Sequence, residues 1–158
     1  MDHKICFTGS HNHESVKQAM VKFMGKQGYR LDLLTMKTRN AFEWKEDLKG
    51  YDVIISNGEK YGRDAIEYLS GDLKMISRMG IGYDEIDLIA ATDFGIAVTN
   101  CAGTMTGTVA EAALLMMLNL SRRLYIADAD VKAGKWNSGF IGHQLEGKTV
   151  RQRQRRKH

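Results

Sequence analysis

With 158 residues, 43% of them hydrophobic, the chain has the length of one domain and enough apolar material to bury a core. It contains no run of about 18 apolar residues, which excludes a membrane-spanning helix, and Met1-Asp2-His3-Lys4 lacks the apolar stretch of a secretory signal. The net charge of +4 sits in the last eight residues, which hold five of the 23 Lys and Arg; the body is left with 18 basic against 19 acidic residues and offers no basic footprint for a nucleic acid.

In chain order, residues 4–8 form a short β-prone run that ends at Gly9-Ser10. Ser10 or Asn12 can cap a helix carrying Val16, Ala19, Met20, Phe23 and Met24 on one face, the spacing of an amphipathic helix. Gly25 and Gly28 offer places to stop it. A second strand is expected over 29–35, a weaker helix over 41–48, and a third strand over 52–55, where Val53-Ile54-Ile55 suits a buried parallel strand. After the Ser56-Asn57-Gly58 loop come a helix over 61–69 and a fourth strand over 74–77, which leads into Arg78-Met79-Gly80-Ile81-Gly82. A short helix over 86–94 follows, with Asp84 as N-cap and Gly95 at C′, and then a fifth strand over 96–98. Strands alternating with helices in this way predict an α/β fold, a parallel five-stranded sheet with helices on both faces.

Beyond Thr104 the pattern changes. Thr108-Val109-Ala110-Glu111 reads as a capping box that opens a helix over 109–121, apolar on nearly every side through residues 112–118. Such a helix is normally buried all round. Another helix over 124–133 ends at Gly134, and 148–150 reads as the start of a strand. Proline is absent, so every turn relies on Gly, Asn, Asp or Ser.

Few residues invite chemistry. Taken alone, Gly80-x-Gly82 is most simply the steric requirement of a strand-to-helix turn. A loop of small residues at the carboxyl end of a parallel strand can also turn its N–H groups toward an anion, and glycine lets a ligand approach the backbone. It is not a dinucleotide fingerprint, because Glu85 occupies the third glycine position and no clear ribose-binding acid follows about 20 residues on. His11 and His13 lack further ligands for a metal, and Asp128 and Asp130 do not share a helix face. Cys6 and Cys101 have no CxxC partner and read as free thiols of a cytoplasmic protein, with a single long-range disulfide as the alternative.

The stretch from Met75 to Val98 (MISRMGIGYDEIDLIAATDFGIAV) strongly resembles the D-isomer-specific 2-hydroxyacid dehydrogenases. So do Thr99-Asn100, Val109-Ala110-Glu111, Ser121-Arg122-Arg123, Ala133-Gly134-Lys135-Trp136 and Leu145-Glu146-Gly147-Lys148-Thr149-Val150, in matching order and spacing. The resemblance implies a flavodoxin-like substrate domain over 1–100, a long interdomain helix and dimerisation segment over 101–146, and the beginning of an NAD-binding domain over 147–158. It places the substrate carboxylate on Gly80, Ile81 and Gly82, with Asn57 and Gly58 lining the same cleft. The 104–106 segment faces substrate and cofactor, with Thr106 as the cofactor contact; Met105 stands where many relatives have Asn. It also implies oxidation of a D-2-hydroxy acid, or reduction of the 2-oxo acid, with NAD or NADP.

In the family Gly-Lys-Thr-Val leads into GxGxxG, and the catalytic Arg, Glu and His follow. Here Arg151-Gln152-Arg153-Gln154-Arg155 follows instead, as a change of reading frame near Val150 would produce. The expectation is therefore a truncated dehydrogenase with no catalytic residue and no metal site of its own, no cofactor held by this chain alone and no turnover. A homodimer, or association with a relative through residues 109–145, is expected. The alternative is a stand-alone carboxylate-binding or dimerising module.

Overall fold

Strands buried on both faces are built from near-continuous apolar runs, and Ile5-Cys6-Phe7 and Val53-Ile54-Ile55 make the middle of the sheet in this way. The computed structural model describes residues 3–9, 14–136, 139 and 141–151. Its first unit, Met1–Thr104, contains β1 (Ile5–Phe7), β2 (Leu31–Leu33), β3 (Val53–Ser56), β4 (Met75–Arg78) and β5 (Ala97–Asn100). All five run parallel in the order β2-β1-β3-β4-β5. The connections are α1 (Glu14–Lys26), a 3-10 turn (Ala41–Trp44) running into α2 (Lys45–Leu48), α3 (Arg63–Leu69) and α4 (Leu88–Asp93). This is the flavodoxin-like order, and the expected α/β fold is borne out.

The period of two along each strand sorts side chains into two layers. Cys6, Ile54 and Ile76 enter the layer of Trp44, Leu48, Ile66 and Ala90. Ile5, Phe7 and Leu31 enter the other, where Met20 and Met24 of α1 pack on them. Ile54, Ile66 and Ile76 are wholly buried, each contributing about 1.5–3 kcal/mol. The inner face of α1 is narrower than its apolar periodicity predicts: Met20 and Met24 are half-buried, Ala19 and Val16 are exposed, and Phe23 is 62% exposed. Strands of three residues present too little surface to cover five side chains.

Asp87, not Asp84, caps α4. Its carboxylate accepts from the Ala90 amide at 2.9 Å, while Asp84 lies inside the turn closed by Ile86 N–H on the Tyr83 carbonyl (2.9 Å). Gly95 takes the expected left-handed conformation after the helix (φ 68°). The Ser10 and Asn12 caps, His11, His13 and the basic run after Arg151 lie outside the described residues.

The second unit, Met105–His158, contains α5 (Thr106–Arg122) and α6 (Leu124–Lys132). Helix α5 begins three residues earlier than its capping-box signature predicts. Met105 is the N-cap without a side-chain bond, and Thr108 already lies inside the helix. Arg123 ends it in the left-handed conformation (φ 51°, ψ 39°), its N–H reaching the Asn119 and Leu120 carbonyls. Contrary to the expectation of burial, no residue of α5 or α6 is buried, and Leu115 is 63% exposed. A helix apolar on every side needs cover on every side, and these residues do not supply it. Residues 148–150 form no strand.

Replacing Asp87 by Ala is expected to cost about 1 kcal/mol by loss of the cap, and Asp84→Ala less than about 0.5 kcal/mol. Thermal denaturation of the two variants side by side checks the assignment.

Candidate functional site

In a 2-1-3-4-5 sheet the strand order reverses between β1 and β3, and the crevice outside their carboxyl ends is where open α/β sheets hold ligands. The chain leaves β3 there through Asn57-Gly58-Glu59. Glu59 is 1% exposed, and a buried carboxylate persists only when hydrogen-bonded. Its Oε2 accepts from the Ser56 hydroxyl and the Asn57 amide, both at 2.9 Å, which ties the turn to the strand it leaves. Oε1 has no partner among the described residues.

Gly58 is buried with φ 120°, a conformation that L side chains rarely adopt. A Cβ placed there would lie 3.8 Å from Arg39 Nη2 and 3.9 Å from Arg78 Nη2, so two guanidinium groups converge beside this glycine. Arg78, the last residue of β4, turns back over its own loop: Nη1 donates to the Met79 carbonyl (2.9 Å) and the Ser56 carbonyl (3.5 Å). A Cβ at Gly80 would meet that same Nη1 at 3.2 Å. The two glycine loops therefore face each other across one guanidinium.

The sequence-predicted anion loop is partly engaged. The Gly80 amide donates to the Arg78 carbonyl (2.9 Å), and the Gly80 and Ile81 carbonyls accept from Cys101 N–H (3.0 Å) and the Asn100 side chain (2.9 Å). The amides of Ile81 and Gly82 have no acceptor among the described residues, and both residues are exposed. Gly58, Gly80, Ile81 and Gly82 thus come together at one edge of the sheet, with Asn57 in the adjoining turn. Thr106 belongs to the second unit, where it opens α5 and is exposed. Sequence reasoning missed Arg39, Arg78 and Glu59; their only signal was a charge within two residues of a strand end or a turn.

Glu85 fills the third glycine position, and α4 begins only at Leu88, so the loop brings no helix N-terminus to a pyrophosphate and does not fit a dinucleotide. No group of three side chains suited to a metal occurs among the described residues. A cleft of about 720 Å³ opens at the opposite, amino end of β1–β3, lined by Lys4, Arg30 and Tyr51 among others. Its Asp32 is already held by Arg30 Nε (3.0 Å) and the Tyr51 hydroxyl (3.2 Å), and the ligand edge of such a sheet is the other one.

Two buried groups behind the crevice stay protonated. Burial, and then the charges of Asp32 and Glu59, push the Cys6 thiol up to about 12. Burial, followed by the charges of Glu59 and Cys6, raises the Tyr61 phenol well above its ordinary value. The Tyr61 hydroxyl points toward Thr8 and Ser56 without a well-formed hydrogen bond. Both cysteines are free thiols, and only Cys101 is partly exposed.

Residues 10–155 match the family model described as D-isomer specific 2-hydroxyacid dehydrogenase, catalytic domain. The chain is 34% identical over 138 residues to the D-3-phosphoglycerate dehydrogenase of Archaeoglobus fulgidus, covering 87% of this chain and 26% of that protein. It is 39% identical over 99 residues to the chloroplastic D-3-phosphoglycerate dehydrogenase 3 of Arabidopsis thaliana, covering 62% of this chain and 17% of that one. A solved structure from Polaromonas sp., described as a D-isomer-specific 2-hydroxyacid dehydrogenase, NAD-binding, superimposes with a TM-score of 0.75 at 26% identity, over 93% of this chain and 46% of its own. The chain thus spans less than half the length of each of these proteins.

Two outcomes are expected from the site as built. At pH 8 iodoacetamide should modify Cys101 and leave Cys6 unmodified in the folded protein, because the Cys6 thiolate forms only toward pH 12; mass spectrometry of the peptides reads this directly. Glu59→Ala should cost on the order of 3 kcal/mol in urea denaturation, since it orphans the Ser56 hydroxyl and the Asn57 amide.

Proposed function

The chain belongs to the D-isomer-specific 2-hydroxyacid dehydrogenase family, and from that premise we propose that its first unit is the substrate-holding part of an NAD(P)-dependent oxidoreductase acting on the CH–OH group of a small D-2-hydroxy acid. The observation that carries this reading is the pair of amides on Ile81 and Gly82, which have no acceptor among the described residues and sit at the carboxyl end of β4 beside Arg78. Backbone N–H groups on a loop of small residues bind a carboxylate without a side chain that must be ordered. Arg78 adds positive charge next to the loop, and Asn57-Gly58 forms the facing wall. The likeness to proteins that act on phosphoglycerate supports a 2-hydroxy or 2-oxo acid as the ligand.

A nicotinamide would take the hydride from the 2-hydroxy acid, or return it to the 2-oxo acid, and a general acid–base group must move a proton at the substrate oxygen. The Gly80–Gly82 loop fits neither task, so the 158-residue chain by itself binds acid and turns nothing over. The cofactor contact assigned to Thr106 is part of this reading. No helix of the described residues is long and apolar enough to cross a membrane, and the cytoplasm is the proposed location.

Exposed apolar surface favours a second, compatible property. Leu114, Leu115, Met116 and Leu118 of α5 are all more than two-fifths exposed, and contiguous patches of this kind mark association surfaces. The 109–145 segment is proposed as the homodimer contact; residues 137, 138 and 140 of it lie outside the described residues.

Titrating pyruvate into the 158-residue chain should give saturable shifts of the Ile81 and Gly82 amide resonances, with no oxidation of NADH. Turnover above background would overturn the split between binding and catalysis, and unmoved amides would overturn the site. In sedimentation, Leu115→Glu should convert dimer to monomer; a wild-type monomer would remove the association.

A further inference from the structure

The carboxylate loop accounts for one end of a ligand, yet a second cation stands at the crevice. Arg39, in the segment between β2 and the 3-10 turn, brings its guanidinium to Gly58, and its backbone is fixed there. Lys60 N–H donates to the Arg39 carbonyl at 2.6 Å, and Ala41 N–H to the Lys60 carbonyl at 3.0 Å, which closes an isolated parallel bridge between Asn40 and Lys60. The 3-10 turn begins at Ala41, where the Asn40 side chain accepts from the Phe42 amide (3.2 Å). The stem of Arg39 thus leaves a pinned segment, while its guanidinium ends 3.8 Å from the Gly58 Cβ position.

Neither Arg39 nor Arg78 has a carboxylate within ion-pair distance among the described residues. The nearby Glu59 accepts instead from Ser56 and Asn57 inside its own turn. The two cations differ in what they have left to give. Arg78 Nη1 is committed to the Met79 and Ser56 carbonyls, whereas no donor of Arg39 is bonded among the described residues. A planar fork of free N–H donors matches a carboxylate or phosphate in two-point contact.

We propose that Arg39 is a specificity-determining residue of the crevice: with its guanidinium beside Gly58, the glycine that shares Arg78 with the Gly80 loop, it selects 2-hydroxy acids that carry a second anionic group at the far end of the molecule. The inference rests on the reading of the Ile81–Gly82 loop as the carboxylate site. The second anion can be a carboxylate or a phosphate, since both present paired oxygens to the fork.

The test is equilibrium binding of D-lactate, D-malate and D-3-phosphoglycerate to the full chain by calorimetry, with circular dichroism to confirm that each variant is folded. The wild type should bind at least one of the two dianions about tenfold more tightly than D-lactate, the scale of one charge-assisted contact; which dianion it prefers identifies carboxylate or phosphate as the second group. Arg39→Gln should bring that ratio close to one, and Arg39→Lys should restore part of it. Arg63→Gln, which removes an exposed cation paired with Asp93 on α3, should leave it unchanged. A purely structural role for Arg39 would weaken all three ligands alike, keep the ratio, and overturn the proposal. Saturable D-lactate binding with no preference for either dianion would overturn it too, while leaving the carboxylate loop standing. Failure of all three acids to bind would overturn both the loop and the inference drawn from it.

Discussion

Everything at the carboxyl edge of this sheet hangs on one buried carboxylate. Glu59 has almost no contact with water, so it must be bonded by the protein, and the donors it uses are the hydroxyl of the strand it follows and the amide of the next residue. That fixes the direction in which the chain leaves β3. From this fixed turn, Lys60 reaches Arg39 and Tyr61 donates to the Glu85 carbonyl while accepting from Asp87 N–H. The loops of the two neighbouring crossovers are tied to residues 57–61 in this way. The glycine with two guanidinium groups beside it sits inside the turn.

The polar anchor is set against an apolar layer. Tyr61 is fully buried next to it, and Cys6, Ile54 and Ile76 form the floor. A low-dielectric floor keeps the Cys6 thiol and the Tyr61 phenol neutral, so the charged side chains near the crevice are others: Glu59, the two arginines, and Asp84, whose Oδ2 lies 3.9 Å from the Gly82 Cβ position. Hydrogen bonds in such surroundings are strong and an unmade one is costly, which gives the turn a stiffness its length alone would not.

The parts of this arrangement legible in the sequence were those written in apolar runs and glycines. The five strands, their alternation with helices and the Gly95 stop each follow from a local physical rule that the rest of the chain does not contradict. Gly58 and Gly80 stood out because glycine is conspicuous wherever the backbone needs unusual freedom. Arg39, Arg78 and Glu59 were illegible for the opposite reason: a charged residue in a loop is solvated by default, and only the tertiary arrangement buries it or aims it. The misplaced cap has a similar cause. Asp84 and Asp87 both precede the same apolar helix, and a tight turn formed by residues 83–86 decides between them. The sequence predicts a wider apolar face on α1 than the structure buries, because periodicity says which residues could be covered, not how much strand surface exists to cover them. The apolar content of α5 predicts a buried helix, and the described residues leave it exposed.

A parallel order has a kinetic consequence. Neighbouring parallel strands are never joined by a tight hairpin, so each pairing must wait for a crossover to close a long loop. Arg39, Gly58 and the Gly80–Gly82 loop come from successive crossovers, and no two of these segments meet through local contacts. The crevice is therefore absent from every early, partly collapsed form of the chain and comes into being only when β1, β3 and β4 are in register. A chain in which that register has not formed does not hold a weak version of the crevice; it has none.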